Sequence, residues 1–116
     1  MASAETPASA VLDELESRLA NLMPRLADAA GGASLCMLSR SSGPVDGAKY
    51  LEGRMAVLSE LKRAVRRAPD LPFAELAAPI AAQWRSDLAL QQERGATRGW
   101  VAYRAGGVDE LDELLA

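Results

Sequence analysis

Four cations near the end of the second predicted helix form the group of side chains best suited to binding phosphate. Their positions put them on one face, within an arc of roughly 140° at 100° per residue. They are Lys62, Arg63, Arg66 and Arg67. Such a face can bind the phosphates of a nucleic acid, or it can bind an acidic partner. A solvated face is the alternative that we favour, because the negative end of a helix dipole also attracts cations.

Arg54 falls inside the apolar arc of the same helix, between Leu51 and Leu58. An arginine there lines a groove between helices, ready for a carboxylate or phosphate. The alternative that we favour is a packed stem whose head reaches solvent or pairs with an internal acid such as Asp87. Gly53 beside it lowers the stability of the helix by about 1 kcal/mol relative to alanine. A glycine kept at that cost predicts a close approach of another backbone.

Two aromatic residues, Trp100 and Tyr103, lie between Arg98 and Arg104 in a segment bounded by glycines. Aromatic rings that alternate with arginine stack on bases or anchor a protein interface. Small helical bundles also use such rings to close their core, and this second interpretation is favoured. The pair is therefore a candidate groove or interface together with Arg54.

The sequence contains no histidine and one cysteine. These counts exclude a histidine base, a zinc finger and an intramolecular disulfide. Cys36 lies in an apolar run, so we expect a buried and dispensable thiol. The C-terminal acids are expected on a solvated polar face, with no Glu-x-x-Glu pair directed into a bundle interior; they are Asp109, Glu110, Asp112 and Glu113. We assign no catalytic residue, metal ligand or cofactor.

The composition favours helices, since 40 of the 116 residues are alanine or leucine and only nine are valine, isoleucine or threonine. We predict a mainly α fold, a compact bundle of three longer helices plus a short C-terminal helix. It forms a single domain over 9–116, after a disordered tail over 1–8. The minority alternative is an α+β fold with a small two-stranded element from 34–39 and 99–104.

The first predicted helix runs from Ser9 to Gly31-Gly32, with a leucine every three or four residues from Leu12 to Leu26. We expect this leucine seam to be buried within the chain or against a second copy. The second predicted helix runs from Pro44 to about Ala68 and stops before a proline.

The third predicted helix runs from 70–72 to roughly Arg94, and Pro79 either kinks it or splits it. The segment 99–104 extends this helix or forms a strand. Gly106-Gly107 is expected to end that segment, before a short acidic helix over 108–115 that follows on its own.

The net charge of −3 is too small to indicate a particular class of partner. It is divided, however, into −3 over 1–39, +4 over 40–104 and −4 over 105–116. We see no secretory signal and no apolar run of membrane-spanning length, which predicts a cytoplasmic protein without membrane contact. Eleven arginines against two lysines suggest a GC-rich, bacterial genome.

The function that we expect is association without catalysis, as an oligomeric scaffold, adaptor or regulator, with a homodimer as the predicted state and a further protein as a possible partner. The alternative is a nucleic-acid-binding module that uses the basic end of the second helix.

Overall fold

The computed structural model describes residues 6–30 and 42–116, and these residues form four helices without a strand. The helices are α1 (Ala8–Ala30), α2 (Ser42–Arg67), α3 (Phe73–Glu93) and α4 (Arg98–Leu115). The mainly α prediction is confirmed. The two-stranded alternative is not needed, because 99–104 lies within α4, whereas 34–39 lies outside the described residues.

Helices α2 and α4 run parallel, side by side. At their N-terminal ends Arg98 pairs with Asp46 at 3.1 Å, and further along both helices Arg54 pairs with Glu110 at 2.8 Å. The intervening α3 runs the opposite way. Helix α1 is antiparallel to α2, since its Glu16 reaches Lys62 near the C-terminal end of α2. The bundle is thus built around one parallel pair, with α1 and α3 packed beside it.

Glycines bring this parallel pair unusually close together. A Cβ built on Gly53 would overlap the carbonyl oxygen of Tyr103, and one built on Gly106 would overlap the carbonyl oxygen of Tyr50. The two contacts are reciprocal, each glycine meeting the tyrosine that precedes the other glycine by three residues. The close approach expected at Gly53 is confirmed, and it fixes the register of α2 against α4.

Gly106 and Gly107 do not end a segment; both are buried inside α4. The prediction of a separate short helix over 108–115 is therefore wrong, and α4 has 18 residues. The reason is packing: Gly106 meets the α2 backbone, and Gly107 lies against the ring of Trp84. Those contacts outweigh the helix cost of glycine, about 1 kcal/mol per residue.

The leucine seam of α1 is buried within the chain. Leu15 and Leu22 are almost fully buried, and the partly buried Leu12, Leu19 and Leu26 pack against the same core. The remainder of the core comes from the other helices, with Leu51, Val57, Leu58, Leu61, Val65, Phe73, Ala77, Ala81, Trp84, Leu111 and Leu114. The seam therefore does not require a second copy to cover it.

Neither internal proline divides a helix. Pro24 lies within α1 and Pro79 within α3, and both are exposed. A proline on the solvent side leaves the packed side of its helix intact, so a split at Pro79 is not observed. Among the described residues, no helix has both the length and the apolar character needed to cross a membrane.

Candidate functional site

A cluster of charged side chains is buried where α1, α2 and α4 meet. Arg54 is 8% exposed and Glu110 only 2%. Arg54 Nη1 donates to Glu110 Oε1 at 2.8 Å, and both of its Nη atoms donate to Glu113 at 3.1 Å. Nη2 also donates to the hydroxyl of Tyr50 at 3.0 Å. The guanidinium is thus held by two carboxylates and a phenol, and its Nε has no acceptor among the described residues.

Glu110 connects three helices. Its second oxygen accepts a hydrogen bond from Arg18 Nη1 at 2.8 Å, and Arg18 Nε donates to Glu14 at 2.9 Å on the same helix. A carboxylate on α4 therefore ties α1 to α2 through two arginines. Breaking such a buried arrangement from one side costs about 3–5 kcal/mol, because a charge is left without its partner.

The electrostatics of the buried cluster favour the charged forms of Arg54 and Glu113 and the neutral form of Tyr50. Burial lowers the pKa of the Arg54 guanidinium, but its hydrogen bonds to Glu113, Tyr50 and Glu110 raise that pKa more, to above its ordinary value. The hydrogen bond from Arg54 holds the pKa of the Glu113 carboxyl below its usual range. Burial, together with the hydrogen bond to Asp109, raises the pKa of Tyr50.

One sequence prediction about these acids is wrong: Glu110 was expected on a solvated face, but it is buried against Arg54. Glu113 also binds Arg54, from an exposed position, so only one acid of the Glu-x-x-Glu pair faces the interior. Arg54 does pair with an internal acid, but not with Asp87, which pairs with Arg104 at 3.4 Å. The reason is the glycine contact with α2, which turns this face of α4 inward. Asp112 remains exposed and pairs across the surface with Arg85.

An open basic pocket of about 200 Å³ lies on the second half of α2. It is lined by Ser59, Lys62, Arg63 and Arg66. The carboxylate of Glu16 on α1 lies at longer range, 3.5 Å from Lys62 Nζ and 3.4 Å from Arg66 Nη2.

The four predicted cations have different surroundings in the structure. Three of them line the basic pocket, whereas Arg67 does not. Arg63 and Arg67 are both exposed, and neither forms an ion pair with another residue in the described ranges. Lys62 and Arg66 share one acid. The pocket therefore holds more positive charge than its neighbours neutralise.

Trp100 and Tyr103 have different environments. Tyr103 packs between two tryptophans, 5.5 Å from the ring of Trp84 and 5.7 Å from that of Trp100 between centroids. Trp100 is 52% exposed, with Lys49 Nζ 5.6 Å from its ring centroid. Tyr103 thus closes the core, as expected, and Trp100 is left as the surface ring.

No protein-family model, curated protein or solved structure matches the chain. The site must therefore be interpreted from its own geometry. Within 6–30 and 42–116, no group of three or more acidic or cysteine side chains is placed to hold a metal ion. Cys36 lies outside the described residues, so its predicted burial stays a prediction.

Sequence reasoning did not assign Glu110, Glu113, Ser59 or Glu16 to these two clusters. Glu110 and Glu113 carried a usable signal, because residues three apart share a helix face. Ser59 precedes Lys62 by three residues and Arg66 by seven, which places it on their face as well. Glu16 carried no such signal, because its contact depends on how α1 packs against α2.

Proposed function

We propose that this protein acts by association rather than catalysis, as a homodimer that serves as a scaffold, adaptor or regulator. The observation that carries the proposal is the exposed ring of Trp100, which is held in place by Tyr103 and Lys49. Tryptophan is enriched among the residues that dominate binding energy at interfaces. A ring that is already fixed loses little conformational entropy when a partner covers it.

The charge distribution of α4 supports a second copy as the partner. Its first half carries Arg98 and Arg104, and Lys49 lies beside Trp100. Its second half carries only acidic charges, of which Asp109 and Asp112 are exposed and not bound by Arg54. In a two-fold dimer the same surface is used twice. An antiparallel approach of two α4 helices then sets each basic end against the acidic end of the other copy.

The surface proposed here differs from the leucine seam of α1, which is covered within the chain. Leu115, at the acidic end of α4, is 39% exposed and supplies an apolar contact where Trp100 of the second copy would arrive. We place the protein in the cytoplasm on the sequence criterion of a single cysteine and no paired thiols.

Sedimentation of the full chain tests the dimer. At tens of micromolar we expect a species of twice the 12.3 kDa chain mass. Trp100→Ala should weaken the dimer by about 700-fold, because the two-fold dimer loses two anchors of about 2 kcal/mol each. High salt should weaken it further, because the opposed charges are screened.

The matched control is Leu71→Ala. Leu71 is 50% exposed, like Trp100, but lies in the connection between α2 and α3. It should leave the dimer unchanged, and both variants should keep the helical circular dichroism of the parent. A single 12.3 kDa species for the parent chain, or equal losses in the two variants, contradicts the proposal.

A further inference from the structure

We propose that the basic pocket on α2 is a binding site for one phosphate group, either inorganic phosphate or the terminal phosphate of a small phosphomonoester. The association proposed above does not use this pocket. Its four lining residues are Ser59, Lys62, Arg63 and Arg66. They provide a hydroxyl, an ammonium and two guanidinium groups, which are the groups that proteins use to bind phosphate oxygens.

The spacing of these residues makes them converge. Counting from Ser59, the cations follow at three, four and seven residues, so all four side chains share one face of α2. They line an open pocket of about 200 Å³. A helix dipole opposes an anion mainly within its last turn. Ser59, Lys62 and Arg63 precede the last turn of α2, which ends at Arg67.

The charge balance fits a dianion. Three cations line the basic pocket, and among the described residues Glu16 is the one acid that pairs with them. Its carboxylate is about half exposed and stands 3.4–3.5 Å from Arg66 and Lys62, beyond the length of a good charged hydrogen bond. The pocket therefore retains two positive charges. Glu16 can swing into solvent when a stronger anion arrives.

A compact phosphate suits this surface better than an extended nucleic acid. From Ser59 to Arg67 the helix rises only about 12 Å, at 1.5 Å per residue. Acidic residues lie near both sides of this segment. Asp13 lies one turn from Glu16 on α1, and Asp70 follows Arg67 by three residues. A long polyanion would pass these acids and be repelled, whereas one phosphate group would not reach them.

Calorimetric titration of the full chain with inorganic phosphate tests the site. Lys62→Gln and Arg66→Gln should each weaken binding by about tenfold, the effect of one lost charged hydrogen bond. Arg67→Gln is the matched control, because it removes the same charge from the same helix end but outside the pocket. It should change the affinity by less than about twofold through screened long-range attraction.

Two further measurements are specific to the pocket. Glu16→Gln should strengthen phosphate binding several-fold, because the competing carboxylate is gone. Affinity for glycerol phosphate should rise as the pH passes about 6, where a phosphomonoester gains its second charge. Sulfate keeps its charge over that range and should show no such rise. Titrations with inorganic phosphate and with glycerol phosphate also show which of the two sources binds more tightly.

The proposal is overturned if phosphate, glycerol phosphate and sulfate all fail to bind. It is also overturned if a single-stranded oligonucleotide binds with strong salt dependence and Arg67→Gln weakens it as much as Lys62→Gln, since that pattern marks an extended phosphate-contact face. Circular dichroism verifies the fold of each variant. Sedimentation of Arg66→Gln should match the parent, which separates a failure of this site from a failure of the dimer.

Discussion

Arg54 and Arg66 stand on the same helix, twelve residues apart, and meet opposite environments. Arg54 is 8% exposed and is bound by Glu110 and Glu113 at 2.8–3.1 Å. The side chain of Arg66 is 57% exposed and shares the single carboxylate of Glu16 at 3.4 Å. Both Nη groups of Arg54 are bound by the protein, whereas the guanidinium of Arg66 has N–H groups left for a ligand.

The difference comes from the neighbouring helices. Beside Arg54, glycine contacts let α4 approach α2 closely and present Glu110 and Glu113. Beside Arg66, the part of the chain that the structure describes supplies one acid, Glu16 of α1, from an exposed position. A buried cation with its acids acts in stability, whereas a cation with too few acids is available to a ligand. Substitutions should therefore affect stability in the first region and binding in the second.

The largest effect on stability is expected from Glu110→Gln. It removes the charge that two arginines share, so we expect the free energy of unfolding to fall by about 3–5 kcal/mol. Chemical denaturation measures the change. Glu93→Gln is the control, since Glu93 is exposed at the end of α3 and should change stability by less than about 0.5 kcal/mol. Equal effects of the two variants would remove the distinction between the regions.

Gly53→Ala should follow, with a loss of about 1–3 kcal/mol, because the new Cβ meets the carbonyl of Tyr103 and forces α4 away. Gly47→Ala on the same helix has open space around its Cβ and should stabilise by up to about 1 kcal/mol. Thermal or chemical unfolding compares the two. A neutral Gly53→Ala would mean that the helices do not touch there.

The pH dependence of stability should include a contribution from Glu113. Its pKa is lowered in the folded protein, chiefly by the hydrogen bond from Arg54. A lowered folded pKa favours folding above the pKa of the unfolded chain, about 4.3 for glutamate, and that contribution is lost as the pH falls further. Glu113→Gln should therefore flatten the stability profile below about pH 4.3. An unchanged acid slope in that variant would contradict the pairing.

The smallest effect on stability is expected at the C-terminal end of α2, beside the basic pocket. Replacing both Arg63 and Arg67 with glutamine removes cations without ion pairs among the described residues. The loss should stay below about 1 kcal/mol, which corresponds to their interaction with the helix dipole. Denaturant unfolding of the double variant is the measurement. A loss comparable with that of Glu110→Gln would show that these cations stabilise the fold and are not free for a ligand.

Much of the fold follows from patterns within single helices. The leucine spacing of α1 predicted its buried face, and Gly53 predicted a close backbone contact. Both inferences depend on the period of one helix and the steric properties of one residue type. Features of this kind can be predicted from the sequence without knowing which helix packs against the residue.

The buried acid could not be placed in the same way. Because Gly106-Gly107 predicts a helix end, the sequence places the start of the last helix at Val108, with an apolar face of Val108, Leu111 and Leu114/Leu115. In the structure the buried face is shifted toward the glycines and includes Glu110. A glycine pair has the same local signature whether it ends a helix or packs against one, and only the neighbouring helix distinguishes the two.

Nuclear magnetic resonance of the arginine Nε–H groups during a phosphate titration tests the central claim in one experiment. Before phosphate is added, the Arg54 signal should exchange slowly with solvent, because its Nε is buried, and those of Arg63 and Arg66 should exchange rapidly. Phosphate should shift and protect the signals of Arg63 and Arg66 and leave that of Arg54 unmoved. Rapid exchange at Arg54, or no response at Arg66, would contradict the account.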